Sequence, residues 1–528
     1  MSSAVLDRRT CARRASTRIA RLPAVIGWLL LCTLALTGCG SLPSLESRTA
    51  SHALRDTAST PLGQTVAAQS ASHPGLTGIE PLSDGRVAFA VRVSLARAAT
   101  RSIDIQTFIW KVDETGSVLF EEMLKAAERG VRVRLLLDDV NTQGLDPIFA
   151  LLDAQPNIEL RLYNPFVGRS SRGLGFVGDF ERLNRRMHNK SFTVDNQVTI
   201  VGGRNVANEY FEAGEDQSFA DIDVIAVGAA VPAVSTEFDT FWNSASAYPA
   251  HLIIRRDPAV GRQEFAQRTQ ELIADDVHKY AEAINRTPQA QALLAGTLKF
   301  EWTTVRVVQD DPEKTLSSSE ETSVQLLPRL QAAFGSPTKG FDLVSPYFVP
   351  GDLGTEALSS LARHGVRVRV LTNSLAANDE TSVHSGYARR RKALLRAGVE
   401  LYEIKPTAAT IQARAAEIGK HSKAGLHAKT FAVDGRSIFV GSFNFDPRSA
   451  KLNTEMGMVI DSVPLAQRLS TMFDNASPAL AYRVQLGADD KLEWHDGAGA
   501  TLEDEPESSW AQRMKVRIFS VLPIEWLL

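Results

Sequence analysis

Apolar and polar residues alternate along residues 101–108, which predicts a strand. Apolar residues then recur at helical spacing up to Arg129, and residues 130–136 alternate again. The same order returns later: a strand over 341–348, a helix ending at His364 and a strand over 365–371. A glycine stands where each helix stops, Gly130 and Gly365, as expected for a C-terminal cap. Each set predicts a strand–helix–strand crossover between parallel strands. Two further β-branched and aromatic runs, 190–194 and 429–433, also predict strands. The chain of 528 residues is therefore expected to be α/β, with two similar domains of about 160 residues, each large enough for one core.

Elsewhere the pattern differs. Residues 24–36 are continuously apolar, and residues 40–78 are rich in Ser, Thr, Ala and Pro, predicting a flexible tether. Residues 263–296 are helical by spacing, 300–302 form a short strand, and 316–321 an exposed loop, all within a connector that does not repeat. The polar stretch 407–425 suits a loop or a lid. The apolar tail 517–528 is expected as a closing strand or as a membrane-contacting edge. The resulting division is 1–38 signal peptide, 39–78 tether, 79–245 first domain, 246–330 connector, 331–490 second domain and 491–528 tail.

The repeat carries chemistry. Residues 188–195 read His-Asn-Lys-Ser-Phe-Thr-Val-Asp and residues 427–434 read His-Ala-Lys-Thr-Phe-Ala-Val-Asp. Each motif is His-x-Lys-x4-Asp, with an Asn ten residues beyond the Asp, at Asn205 and Asn444. All four positions share one offset of 239 residues (427 − 188, 429 − 190, 434 − 195, 444 − 205). A lone His-x-Lys on a strand is ordinarily a solvated or structural pair, but repetition in register argues for a shared task. Displacement at phosphorus spreads negative charge over oxygens, so it needs fixed positive charge and hydrogen-bond donors. Lys190, Lys429, Asn205 and Asn444 supply these groups. One imidazole can attack phosphorus while another, with a pKa near neutral, moves the proton. Residues two apart on a strand face one way, so His188 and Lys190 share a cleft, as do His427 and Lys429. The repeat lacks Cys, paired His at ligand spacing and clustered carboxylates, so no metal and no cofactor is expected.

The paired motifs resemble the phospholipase D superfamily across roughly residues 80–480. Residues 186–195 running into 201–205, together with 372–379 and 516–528, are most similar to bacterial cardiolipin synthases of the C type. The resemblance implies two phospholipase D-like α/β domains related by a pseudo-twofold, with the active site at their interface. It implies His188 as nucleophile, becoming phosphohistidine, and His427 as general acid and base; the near-symmetric repeat does not itself decide between them. Lys190, Lys429, Asn205 and Asn444 would hold phosphoryl oxygens. Family enzymes orient each imidazole with a downstream carboxylate, for which Asp223 and Glu455 are the candidates. Asp195 and Asp434 then become structural ion-pair partners. The expected reaction is phosphatidyl transfer making cardiolipin from phosphatidylglycerol, with phosphatidylethanolamine as a possible donor. The alternatives are a phospholipase D hydrolase releasing phosphatidic acid, a nuclease-type phosphodiesterase, and a non-catalytic lipid-binding protein.

Charge and the N-terminus narrow this further. Six arginines among residues 8–21 precede the apolar run, which ends in Leu36-Thr37-Gly38-Cys39, similar to a lipoprotein signal cleaved before a lipid-modified Cys39. The apolar run of 13 residues is too short to span a bilayer by itself. An envelope lipoprotein facing the periplasm is expected, on the inner or the outer membrane. Removing residues 1–38, with six Arg and Asp7, takes the net charge from −3 to −8 (−3 − 6 + 1). Such a chain lacks the global basic footprint of nucleic-acid binders, so phospholipids in a membrane are the expected partners. Arg161, Arg169, Arg172, Arg182, Arg185 and Arg186 form a local candidate rim for anionic head groups. Two half-sites in one chain make a monomer sufficient for activity.

Overall fold

A computed structural model describes residues 41–528 except 214–216, 274–286, 319, 407–422 and 477–479. The apolar run, the candidate lipidation residue Cys39 and most of the proposed lid lie outside the described residues. Residues 44–528 form one compact unit. Among the described residues no helix is long and apolar enough to cross a membrane.

The first half contributes β1 (Thr77–Leu82), β2 (Ser102–Thr107), β3 (Arg132–Asp138), β4 (Ile158–Tyr163), β5 (Ser191–Val194), β6 (Val198–Gly202), β7 (Gln217–Ala220), β8 (Asp223–Gly228) and β9 (Ala247–Pro249). The connector adds β10 (Glu301–Thr303) and β11 (Val305–Gln309). The second half contributes β12 (Gly340–Val344), β13 (Arg367–Asn373), β14 (Glu400–Ile404), β15 (Lys423–Leu426), β16 (Thr430–Val433), β17 (Ser437–Gly441), β18 (Met456–Ile460), β19 (Ala481–Leu486), β20 (Leu492–His495) and β21 (Thr501–Leu502). One sheet runs β10-β1-β8-β6-β5-β2-β3-β4-β9 and the other β11-β18-β17-β16-β12-β13-β14-β19-β20-β21. From β1 to β9 and from β11 to β19 the two orders match strand for strand, with β20 and β21 added at the edge of the second, so the internal repeat is a repeat of sheets. In each, three strands run parallel (β2, β3, β4; β12, β13, β14) and the motif strands are antiparallel to them.

The crossovers form as the residues predict. The helices Glu114–Glu128 and Gly351–Arg363 link β2 to β3 and β12 to β13. Gly130 and Gly365 follow them with φ of 88° and 86°, a left-handed conformation that a side chain would strain. Each half also buries an Arg–Asp fork between its first two parallel strands: Arg134 Nε lies 2.7 Å from Asp104 Oδ1, and Arg369 Nε lies 2.6 Å from Asp342 Oδ1. A shared apolar layer joins the sheets, with Val201, Val224 and Ala226 packing in one cluster with Val344, Val440 and Met458.

Three regions depart from expectation. From Arg48 onward the supposed tether is bound. The Arg48 guanidinium donates to Asn243 O at 2.7 Å and Ala247 O at 2.9 Å, while Arg161 and Arg134 donate to the carbonyls of Thr49 and Ser51. Buried guanidiniums carry more donors than nearby carboxylates can accept, and the carbonyls of this segment supply missing acceptors. The helix Pro61–Ser70, capped by the Thr60 hydroxyl, follows it before β1 joins the sheet. The connector, in turn, supplies an edge strand to each sheet, since β10 pairs with β1 and β11 with β18 on either side of Thr304. Finally, the apolar stretch 517–528 is not a strand. Residues Trp510–Val521 form a helix opened by a capping box between Ser509 and Gln512. Its Val516, Ile518 and Val521 suggested a strand by propensity, but packing on the helix Thr381–Ala388 decides otherwise.

Candidate active site

The two motifs lie at the carboxyl ends of β2 and β12, where Gln106 pairs with Ser191 and Val344 with Thr430. Strand pairing between the halves then sets the site. β7 pairs in parallel with β15, and a bridge joins Met187 to Thr454. The His188 amide donates to Thr454 O at 2.9 Å, and the His427 amide to Ala220 O at 2.8 Å. Each histidine is therefore stitched to the residue just before a carboxylate of the opposite half.

The carboxylates complete the exchange. His188 Nδ1 lies 2.8 Å from Glu455 Oε2, and His427 Nδ1 lies 2.6 Å from Asp221 Oδ2. A carboxylate that accepts the Nδ1 proton leaves Nε2 as the reacting nitrogen and fixes the ring's aim. Lys190 and Lys429 each donate to the carbonyl of their own motif's His at 2.6 Å. The Tyr210 hydroxyl hydrogen-bonds Asn205, and Asn205 Oδ1 accepts the Ile109 amide at 3.2 Å. Aromatic walls enclose the imidazoles: Phe108 sits edge-on to His188 at 5.0 Å, and Tyr210 edge-on to His427 at 4.9 Å.

Asp223, expected to orient an imidazole, does not. It pairs instead with Arg92 at 2.8 Å and Arg204 at 3.4 Å. Asp221 takes the role. Sheet register explains the error: Gly202 pairs with Asp223 and Gly441 with Gly457, so the acid two residues earlier is Asp221 in one half and Glu455 in the other. The loop between motif and acid is shorter in the second half, which obscured the equivalence. A Cβ on Gly203 would lie 2.2 Å from Asp221 Oδ1, so that position must be glycine for the carboxylate to reach its place. At the equivalent position of the second half, the Ser442 hydroxyl donates to Glu455 Oε2 at 2.5 Å.

Asp195 and Asp434 stand apart from the reacting groups and form no ion pairs among the described residues. Asp195 accepts the amides of Thr100, Arg101 and Ser102 at about 3 Å (3.1, 2.8 and 2.9 Å), and Asp434 those of Thr338, Lys339 and Gly340 (2.9, 2.7 and 3.1 Å). They pin the turn entering β2 and β12 to the end of the motif strand. The six arginines expected as a basic rim are likewise committed internally. Arg161 lies over the Trp242 ring, Arg169 bonds Asp146 and Asp139, and Arg172 reaches Asp139 O. Arg182 pairs with Asp179, Arg185 donates to Lys314 O, and Arg186 pairs with Asp138.

Electrostatics unite the halves and distinguish them. Burial, then Lys190 and Lys429, holds the His188 imidazolium well below its ordinary range. Burial and Lys429 likewise push His427 down, against the pull of Asp221. Burial also lowers Lys190 to about 7 and Lys429 to about 8, each ammonium repelled or held by groups from the other half. The two carboxylates diverge. Burial pushes Asp221 up, but His427, Lys429 and Arg204 outweigh it and hold it at about 2. Burial raises Glu455 to about 7, because Lys190 only partly offsets it. Behind Glu455 lies a further buried set that motif reasoning missed. Its amide donates to Asp310 Oδ2 at 2.7 Å, and Lys314 Nζ lies 2.9 Å from Asp310 Oδ1. Both come from the non-repeating connector, which no repeat could have revealed.

Two imidazoles, each aligned by a carboxylate of the opposite lobe and accompanied by the lysine of its own motif, form one centre shared by both lobes. Comparison with known proteins agrees. Residues 93–242 and 330–476 match the family described as "Cardiolipin synthase, PLD-like domain". The chain is 47% identical over 468 residues to cardiolipin synthase C of Escherichia coli strain K12, covering 86% of this chain and 97% of that one. It is 25% identical over 399 residues to a cardiolipin synthase of Staphylococcus aureus, covering 74% and 65%. The fold is similar to that of phosphatidylserine synthase from Haemophilus influenzae, with a TM-score of 0.55 at 14% identity over 89% of this chain and all of that one. The chain belongs to the phospholipase D-like cardiolipin synthase family.

Proposed function

We propose that this protein is a phosphatidyl transferase that makes cardiolipin through a covalent intermediate on His188. The observation that carries the reading is the crossed pairing of each imidazole with a carboxylate of the other lobe, and the contrast between those carboxylates supports the roles that the family resemblance implies. Asp221, held ionised, opposes the burial and Lys429 that lower His427, and so gives that ring the stronger carboxylate support for the imidazolium a general acid must form in turnover. Glu455, raised towards neutrality, gives His188 less support as an imidazolium, while the Ser442 carbonyl 3.1 Å from the same Nδ1 can accept its proton and leave the Nε2 lone pair free. Kinship to the Escherichia coli cardiolipin synthase C over most of both chains supports the substrate class.

In the first step the His188 Nε2 lone pair attacks the donor phosphorus. A P–N bond forms, the P–O bond to the departing alcohol breaks, and His427 delivers its proton to that oxygen. Lys190, Lys429, Asn205 and Asn444 would hold the equatorial oxygens as charge accumulates, the role the family resemblance gives them. In the second step the hydroxyl of phosphatidylglycerol gives its proton to His427 and attacks phosphorus. The P–N bond breaks, returning the electron pair to His188 and releasing cardiolipin. The donor is phosphatidylglycerol or phosphatidylethanolamine, and lipidation of Cys39 would hold the enzyme at the envelope membrane.

The test is a product assay on the full chain in mixed micelles of phosphatidylglycerol, with and without phosphatidylethanolamine. Cardiolipin is expected, rising with phosphatidylethanolamine if that lipid is a donor, and absent in His188→Ala and His427→Ala. Phosphatidic acid as the only product would instead make the protein a hydrolase.

A further inference from the structure

The C-terminal helix buries one side and leaves the other unpartnered. Val516 is buried, and the Ser520 hydroxyl reaches Ser385 O on the neighbouring helix. On the opposite side Trp510, Ile518 and Val521 are exposed at helical spacing, Val521 by 80%. Leu522 and Trp526 continue the apolar surface beyond the helix. Lys515 and Arg517 border it, and neither forms an ion pair among the described residues. An apolar stripe with tryptophans at its ends and free cations at its flanks is the composition of a segment lying in a lipid–water interface.

Its position ties it to the site. The Arg448 amide donates to Leu528 O at 3.0 Å and its Nε to Leu527 O at 2.9 Å. Arg448 lies four residues past Asn444, and its guanidinium reaches Asn184 Oδ1 at 2.8 Å, four residues before His188. The tail thus touches the segment that flanks both motifs. Arg390 joins Glu525 to Asp352, beside Leu353, which is 83% exposed. On the first lobe Val177 and Phe180 are exposed close to Asn184 in sequence.

We infer that the tail, from Trp510 to Trp526, is an interfacial docking face that seats the cleft on an anionic phospholipid bilayer. It rests on the reading of the protein as a phosphatidyl transferase. A reaction between two bilayer lipids needs its cleft held against the surface that contains them. Apolar side chains would enter the acyl boundary while Lys515 and Arg517 meet lipid phosphates, an attraction strengthened by a rising fraction of phosphatidylglycerol.

The test compares two presentations of one substrate: long-chain phosphatidylglycerol in vesicles and dihexanoyl phosphatidylglycerol below its micelle concentration. Two full-chain variants are used, Ile518→Ser with Val521→Ser and Trp526→Ser, and separately Lys515→Glu with Arg517→Glu. The expected result is a loss of at least about tenfold on vesicles with an unchanged rate on the monodisperse lipid. The charge-reversal pair guards against misfolding, since both residues are solvent-exposed. Equal losses on both presentations by both variants, or full activity of both on vesicles, would overturn the inference, the latter leaving the face to a protein partner. A wild-type chain silent towards both lipids would overturn the transferase reading, and this inference with it.

Discussion

Two histidines related by an internal repeat would be interchangeable if their surroundings were equal, and here a single pair of acids removes that equality. Asp221 is held at about 2 and Glu455 raised to about 7. At neutral pH, Asp221→Asn deletes a full charge from behind the His427 ring, whereas Glu455→Gln replaces a group already partly neutral. Asp221→Asn is expected to lower kcat by about 10²- to 10⁴-fold, the range of general acid catalysis. Glu455→Gln is expected to cost only about tenfold, through looser aim of His188. Steady-state rates of the two variants decide this, and equal losses would remove the basis for assigning the nucleophile. The lysines make a second expectation. Burial lowers Lys190 to about 7 and Lys429 to about 8, so their charge nears completion only below about pH 6 and declines as pH rises through 7 and 8. The apparent KM for lipid is therefore expected to rise with pH across that window. A KM that stays flat from pH 6.5 to 9 would mean that bound phosphate alone does not depend on these ammonium groups.

At the level of elements, the motif aspartates act on strands rather than on substrate. Asp195 is fully buried and accepts three amides and the Thr100 hydroxyl, whereas Asp434 makes equivalent bonds at a more exposed turn. Asp195→Ala is expected to destabilise by about 2–3 kcal/mol, because it strands the buried Ser102 amide and loosens the part-buried donors of Thr100 and Arg101, and Asp434→Ala by less. Denaturant titration measures the difference, and folded Asp195→Ala should retain turnover. These turns show which parts of the fold were legible in the residues. The parallel strands, their crossover helices and the motif strands follow from local periodicity and from Gly130 and Gly365, all encoded within a few residues of where they act. Asp221 was not legible, since its choice over Asp223 depends on the register of β6 against β8. Nor was the helix at Trp510–Val521, where β-branched residues argued for a strand and only the capping box at Ser509 argued otherwise. The binding of residues 48–57 escaped for a related reason. Small polar residues read as a tether because their role is to offer backbone carbonyls, which carry no residue signature.

For the whole molecule the governing fact is that neither lobe contains a complete half of the chemistry. The first lobe carries His188 and the acid that serves His427, and the second carries the reverse. Polypeptides 44–304 and 305–528, expressed separately, are each expected to be inactive, and mixing them should restore activity only to the extent that they associate. Turnover by either piece alone would contradict the crossed arrangement. The crossing also bears on how such an enzyme can fail. A reactive imidazole poised alone in a wet crevice would squander its phospholipid on water. Here any rotation that parts the lobes draws Glu455 from one ring and Asp221 from the other in the same movement, so both lose their aim together. Both alignments thus depend on one packing, and the apolar layer that joins the sheets is also what keeps both reacting rings in aim.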